Sequence, residues 1–300
     1  MTEFGSFPTS YFSAPAPELD PTLFEGRKLR SWVRQGVRHI LTDFLNKRYR
    51  HPELWAHPWL AGSAVSYQWQ AARQPGDLDC LIGVDYIQFR KANPEFKGLT
   101  EKEISEQLNE EFKAELYPQT DNWNGFELTF YVNPGATDIR TIKPYAAYDL
   151  KYDEWTVHPD PQQIPAVNED WERVIGSDKD STKQIYTRFN QARQDLKQSL
   201  SEPNRRNAEA RLTAAYQQAE ALFHEIHSNR SSAFSTSGEG YNDFSNYRWQ
   251  AGKREGVIQT LREVREYMKD IQTEQDKTKY GVEFPDASTL IRRAATYRAK

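Results

Sequence analysis

Between Leu29 and Arg48 the apolar residues Trp32, Val33, Val37, Ile40, Leu41, Phe44 and Leu45 recur at intervals of three and four, which predicts an amphipathic helix. His51-Pro52 and His57-Pro58 then punctuate the chain before the apolar approach WLAGSAV. A polar stretch runs to Pro75-Gly76, and the apolar run in DLDCLIGVDY, bounded by turn residues, predicts a buried strand. Thr100 followed by Glu103 forms a capping-box pattern and predicts a helix over 101–116. FELTFYV at 126–132 predicts a second strand, broken by Asn133-Pro134-Gly135, with shorter β-prone pieces around Ile139 to Ile142 and Trp155 to Val157. From about Ser181 the period turns helical, interrupted only at Ser201-Glu202-Pro203 and in the polar SSAFSTSGEGYNDFSN. The pattern predicts an α+β chain with a flexible arm over 1–24, a mixed region over 25–178 and a helical region over 179–300, divided at the polar GSDKDS segment.

Composition narrows the setting. With 37% hydrophobic and 13% aromatic residues the chain has material for a core and lies outside the range of disordered sequences. No apolar run approaches the length of a membrane span, and the first residues lack the basic start and apolar middle of a secretory signal, so a cytoplasmic protein is expected. The single cysteine, Cys80, allows no intrachain disulfide and no multi-thiolate zinc site, and its place in the apolar run predicts a small core residue. Thirty-nine basic against forty-three acidic residues, a formal charge of −4, excludes coating of nucleic acid through bulk charge but leaves room for a local basic cleft.

The chemistry concentrates in AGSAVSYQWQAARQPGDLDC. Asp77 and Asp79 alternate along a strand and so share one face, while Leu78 and Cys80 take the other. Two adjacent carboxylates repel unless a cation sits with them, and hard divalent ions such as Mg²⁺ favour such oxygen ligands together with substrate phosphates. Gly62 lets a phosphate approach the backbone, and the Ser63 hydroxyl and the amides of a following helix start would hold it.

An apolar residue, Gly62-Ser63, a spacer and Asp77-x-Asp79 together resemble the nucleotidyltransferase superfamily of DNA polymerase β, with thirteen residues between Ser63 and Asp77, at the long end of the usual spacer. The wider texture, TFYVNPGATDIRTIKPYAAYDL and GEGYNDFSNYRWQAGK, is similar to nucleotidyltransferase proteins of actinobacteria and their phages. The resemblance implies a polymerase-β-like palm, a small mixed sheet flanked by helices, followed by a helical domain. It further implies two Mg²⁺ ions, with Mn²⁺ as a substitute, held by Asp77 and Asp79, and a third carboxylate from a later strand, Glu127, or failing that Asp138. The implied reaction transfers a nucleoside monophosphate from an NTP such as ATP to an acceptor hydroxyl, with pyrophosphate leaving. An RNA or tRNA 3′ end is the first acceptor expected; a protein side chain or a small molecule such as an antibiotic follows, and a noncatalytic nucleotide- or RNA-binding protein is the alternative from another class.

Other residues are weighed beside these. Arg73, Lys143 and Lys253 are candidates for nucleotide phosphates, with Arg140 beside them; Tyr241, Tyr247 and Trp249 are candidates for base stacking, and Arg248 and Arg254 for phosphate contact, against the plainer expectation that these aromatics pack helix on helix. HEIH at 224–227 spaces its histidines at i and i+3, short of the HExxH pattern of zinc proteases. Neither a GxxxxGK[ST] nor a GxGxxG loop occurs, and Arg205, Arg206 and Arg211 read first as solvated helix charge.

Overall fold

The computed structural model describes residues 9–69, 76–162, 168–198 and 201–281. The chain divides into two compact units, one built from residues 10–162 with Phe234–Tyr241, the other from the long helices on either side of that returning loop.

In chain order, the first unit contains the two-residue strands β1 (Phe24–Glu25) and β2 (Lys28–Leu29), helices α1 (Ser31–Asn46) and α2 (Pro52–Trp55), and strands β3 (Ala56–Ala61) and β4 (Gly76–Val84). Helices α3 (Tyr86–Ala92), α4 (Glu101–Glu111) and α5 (Tyr117–Thr120) follow, then strands β5 (Phe126–Val132), β6 (Ala147–Asp149) and β7 (Glu154–Val157). The main sheet runs β5-β4-β3-β6-β7; β4 and β5 are parallel and the other pairs antiparallel. The fold is therefore α+β with a small mixed sheet.

Local signals explain most boundaries. Asp85 stops β4 and opens α3, its carboxylate accepting from the amides of Ile87 and Gln88. Thr100 and Glu103 close the expected capping box on α4. That helix continues through a wide π turn over Phe112–Leu116 into Tyr117-Pro118, where the proline has no amide to offer the preceding turn. One sheet face carries Leu60, Leu78, Cys80, Ile82, Leu128 and Val132, all buried against Val33, Val37 and Leu41 of α1 and Ile104 and Leu108 of α4. A smaller cluster on the opposite face joins Trp59, Ala61 and Ala147 to Ala136, Ile139 and Ile142.

Four local expectations change. The segment 139–142 is a 3₁₀ turn, not a strand: Asp138 caps it by accepting from the Arg140 amide, and Ile139 and Ile142 both point into the small cluster. Residues 9–24, expected to be a flexible arm, are packed, with Tyr11, Leu19 and Leu23 buried and the Ala16 amide bonded to the Tyr67 carbonyl at 2.6 Å. After Gly62 there is one 3₁₀ turn, Ser63–Val65, instead of a full helix start, with the Ser66 hydroxyl bonded back to the Ser63 carbonyl at 2.9 Å. The polar 176–181 segment lies inside a helix, not at its start.

The second unit is helical: α6 (Glu169–Gln198), α7 (Glu202–Ala233), α8 (Phe244–Arg254) and α9 (Val257–Tyr280). Phe189, Leu212, Ala219, Phe223, Leu261 and Val264 form its core. Within it Arg248, 8% exposed, forks onto Asp178, 7% exposed, at 2.7 and 2.8 Å, and reaches Glu225 at 2.6 Å. Among the described residues no helix is long and apolar enough to cross a membrane.

Candidate functional site

The site is set by sheet register. β4 and β5 run parallel with Asp77 opposite Glu127 and Asp79 opposite Thr129, while antiparallel β3 sets Ala61 opposite Asp79. Directly paired residues project to the same face of a sheet, so Asp77, Asp79, Glu127 and Thr129 share one face. It is the face opposite the large core. Leu78, Cys80 and Leu128, the alternating neighbours, are each 0% exposed, whereas both aspartates and Glu127 are partly exposed to solvent.

Two hydroxyls fix the carboxylates. Thr129 donates to Asp79 Oδ1 at 3.0 Å, and Tyr117, delivered by the π turn and Pro118, donates to Glu127 Oε1 at 2.7 Å. Gly62 lies directly against Asp79. It holds φ 87° and ψ −163°, and a Cβ built there would fall 2.8 Å from Asp79 Oδ2. Only glycine accepts this backbone comfortably and also leaves that carboxylate oxygen uncovered. Ser63 follows at once, partly exposed in the 3₁₀ turn. Burial, then the charge of Asp79, pushes the Cys80 thiol far above its ordinary pKa, which leaves it a neutral core group.

Among the described residues no three acidic, histidine or cysteine side chains form a closed metal-ligand set. The fit to a metal is carried instead by oxygen chemistry: a pair of carboxylates on alternate residues of one strand, a third opposite the first, and a glycine that keeps the ground beside them open. That donor set suits a hard divalent cation such as Mg²⁺ or Mn²⁺.

The remaining candidates are distributed differently. Asp138 leaves the sheet to cap the 3₁₀ turn and chelates Arg140; hydrogen bonds from that guanidinium, opposed by partial burial, hold its carboxyl below the usual range. Lys143, at φ 46°, pairs with Glu239 at 3.2 Å. Arg73 lies outside the described residues. Lys253 belongs to the helical unit, its ammonium 5.8 Å from the centre of the Trp249 ring. Tyr241, Tyr247 and Trp249 are 1%, 1% and 3% exposed, so they are packed aromatics and present no open face to a base. Arg248 is committed to Asp178 and Glu225, and Arg254 to Glu172 and Glu255. In HEIH, His227 stacks on Phe223 with ring centres 5.7 Å apart; Arg205, Arg206 and Arg211 pair with Glu209, Glu202 and Asp195.

Tyr117 is the site residue that sequence patterning passes over. Its signal is a Tyr-Pro at the end of a helix, which reads as a terminator. A second polar group on the same sheet face is also invisible in sequence: His57 donates through Nε2 to Asp149 at 2.6 Å and stacks on Trp59 at 4.1 Å. No known family model, curated protein or solved structure matches this chain.

Proposed function

We propose that the chain is a Mg²⁺-dependent nucleotidyltransferase, moving a nucleoside monophosphate from an NTP to an acceptor hydroxyl with release of pyrophosphate. The observation that carries this reading is the register that aligns Asp77 with Glu127 on the face where Gly62 abuts Asp79. The path from β3 through the Gly62-Ser63 turn to antiparallel β4, and across to parallel β5, supports taking the sheet as a polymerase-β-like palm.

Asp77, Asp79 and Glu127 would hold the Mg²⁺, which when bound neutralises triphosphate charge and the charge that builds on the departing oxygen. The rest is the work of this chain. Thr129 and Tyr117 keep two of the carboxylates from swinging, so the ligand oxygens are held before substrate arrives. Gly62 gives a phosphate room at the backbone, and the Ser63 hydroxyl is a donor beside that space. Glu127, opposite Asp77 on β5, would take the proton of the attacking hydroxyl at its Oε atoms. The acceptor is taken first as an RNA 3′ end, tRNA included, with a protein or small-molecule hydroxyl next; aromatic stacking by Tyr241, Tyr247 or Trp249 plays no part in this choice, because those rings are buried.

The test is incubation of the full chain with each α-³²P-labelled NTP, Mg²⁺ and total tRNA, beside D77N/D79N. Label in RNA with the wild type only is the expected result; label on protein moves the acceptor to a side chain. Absence of pyrophosphate release with RNA, protein and small-molecule acceptors alike would overturn the reading.

A further inference from the structure

Past the carboxylates the same sheet face continues along β4 and β5. The register that sets Asp77 opposite Glu127 and Asp79 opposite Thr129 next sets Leu81 opposite Tyr131, and alternation puts all six side chains on one face. At a rise of about 3.3 Å per residue, Tyr131 stands about 7 Å beyond Thr129 and about 13 Å beyond Glu127. Leu81 is partly buried against the small cluster around Trp59 and Ala61. Glu127 and Thr129 are partly exposed, and Tyr131, on the edge strand, is 50% exposed.

Taking the carboxylates as a nucleotidyl-transfer site, the reading on which this rests, we propose that Tyr131 binds the acceptor by stacking on the base of its terminal nucleotide, which makes the acceptor hydroxyl that of a nucleic-acid 3′ end.

Three observations carry this. The first is the side of the site on which Tyr131 lies. The strand order β5-β4-β3 sets Gly62, with its room for a phosphate, on the β3 flank of the aspartates and sets Glu127, the group for the acceptor's proton, on the β5 flank. Tyr131 therefore belongs to the acceptor's strand. The second is spacing. Two polar rungs, Asp77 with Glu127 and Asp79 with Thr129, are followed by an apolar and aromatic one, Leu81 with Tyr131. A ribose separates its 3′ hydroxyl from its base over a comparable interval, so a hydroxyl held at the polar rungs brings its base to the tyrosine. A protein side chain that presents a hydroxyl carries no base at that remove. The third is that the outer edge of β5 is already engaged. Asn109 accepts from the Val132 amide at 2.7 Å and donates to its carbonyl at 2.9 Å, and the Thr120 hydroxyl donates to the Leu128 carbonyl at 2.7 Å. An acceptor peptide finds no strand edge to pair with at those positions, and β5 presents its half-exposed ring instead. Stacking on that ring suits any base, since every base has a π face.

The experiment measures transfer by the full chain from α-³²P-labelled NTP, with Mg²⁺, to two RNA oligonucleotides that share a free 3′ hydroxyl. One ends in an intact nucleotide and the other is abasic there. Wild type is compared with Y131A, Y131F and Y131W, and with Y152A as the control, a tyrosine of the same unit that is 62% exposed. Y131A is expected to raise KM for the intact acceptor about five- to hundredfold, the effect of losing one base stacked on an aromatic ring, with kcat and KM for NTP nearly unchanged. Y131F and Y131W keep a ring and should keep the wild-type KM, which separates stacking from any bond made by the hydroxyl. The abasic acceptor should be poor with wild type and no poorer with Y131A. A wild-type acceptor KM in Y131A, an equal loss in Y131F or Y152A, or an equal loss with the abasic acceptor overturns the role of Tyr131 while nucleotidyl transfer stands. Label that passes only to protein or to a small molecule does the same. Absence of pyrophosphate release with every acceptor is the separate failure of the underlying reading, and the stacking role falls with it. Should Y131A fail to fold, Y131T, a strand-forming residue without a ring, is held to the same outcomes.

Discussion

Replacing Gly62 by alanine tests the candidate site at its tightest point. The glycine holds φ 87° and ψ −163°, a region that residues with a Cβ occupy only at a cost of about 1–3 kcal/mol. The new methyl would also stand 2.8 Å from Asp79 Oδ2, closer than a carbon and an oxygen tolerate, so the carboxylate must turn. Turning it stretches the 3.0 Å bond from Thr129 to Oδ1, a hydrogen bond to a charged group worth about 1.5–3 kcal/mol. Together these give a destabilisation of about 2.5–6 kcal/mol, measured by urea denaturation, with loss of nucleotidyl transfer because Asp79 no longer faces the open ground. Gly26 supplies the control: its φ is 58° but no atom lies within 4 Å of the added Cβ, so G26A costs only the left-handed backbone, about 1–2 kcal/mol. A double-mutant cycle with T129V separates the two contributions. If Asp79 has already left Thr129 in G62A, adding T129V changes little. Stability of G62A within about 0.5 kcal/mol of wild type with full transfer activity, or a T129V effect that adds in full, would refute the reasoning.

The other predictions rest on single contacts. Y117F removes the donor to Glu127 Oε1 while leaving the ring, so the transfer rate should fall about tenfold with nucleotide KM and Tm nearly unchanged; a wild-type kcat sinks this role. Asp149, 4% exposed, is pushed up by burial but held lower on balance by hydrogen bonds from His57 Nε2 and the amides of Tyr152 and Lys151. A depressed folded pKa stabilises above the unfolded value and loses that stabilisation as pH falls through the folded one. The Tm gap between wild type and D149N should therefore be full above about pH 5 and close as pH drops below the ordinary 3.8; a gap constant from pH 7 to 3 contradicts it. R248M strands Asp178 as a buried charge and should cost about 3–5 kcal/mol, much of it recovered in R248M/D178L, by denaturation of the helical unit; a cost under about 1 kcal/mol says the pair is solvated.

What could be read from the sequence was local. Helix α1, the capping box on α4, and strands β4 and β5 follow from periodicity and end signals contained in the segments themselves. The pieces that differ depend on distant partners. Ile139 and Ile142 are β-prone, yet Asp138 caps them into a 3₁₀ turn and Ala61 and Trp59 receive them. Residues 9–24 have the composition of an arm, but Tyr11 rests on Tyr241, with ring centres 4.7 Å apart and some 230 positions of sequence between them. Ala147–Asp149 is too short to announce itself as a strand and exists because β3 has an open edge. Arg248 reads as a candidate for phosphate contact until Asp178 and Glu225 are found beside it.

The candidate site shows the same division. The sequence can put Asp77 and Asp79 on one face, since alternation belongs to the strand alone. It cannot align Glu127 with Asp77, because parallel strands joined by a long crossover share no turn that sets their register. The core sets it instead. Leu128 and Val132 are fully buried on the far face opposite Leu78 and Ile82, and a one-residue slip of β5 would turn them outward and bring Glu127 into the packing with α4. Burying a carboxylate there and exposing those side chains costs several kcal/mol, so apolar packing on one face selects the carboxylate geometry on the other. It follows that L128E/E127L, which keeps composition and reverses the alternation at that point, should abolish transfer and destabilise the sheet together. A variant that folded with wild-type stability would show that something other than this packing holds Glu127 beside Asp77.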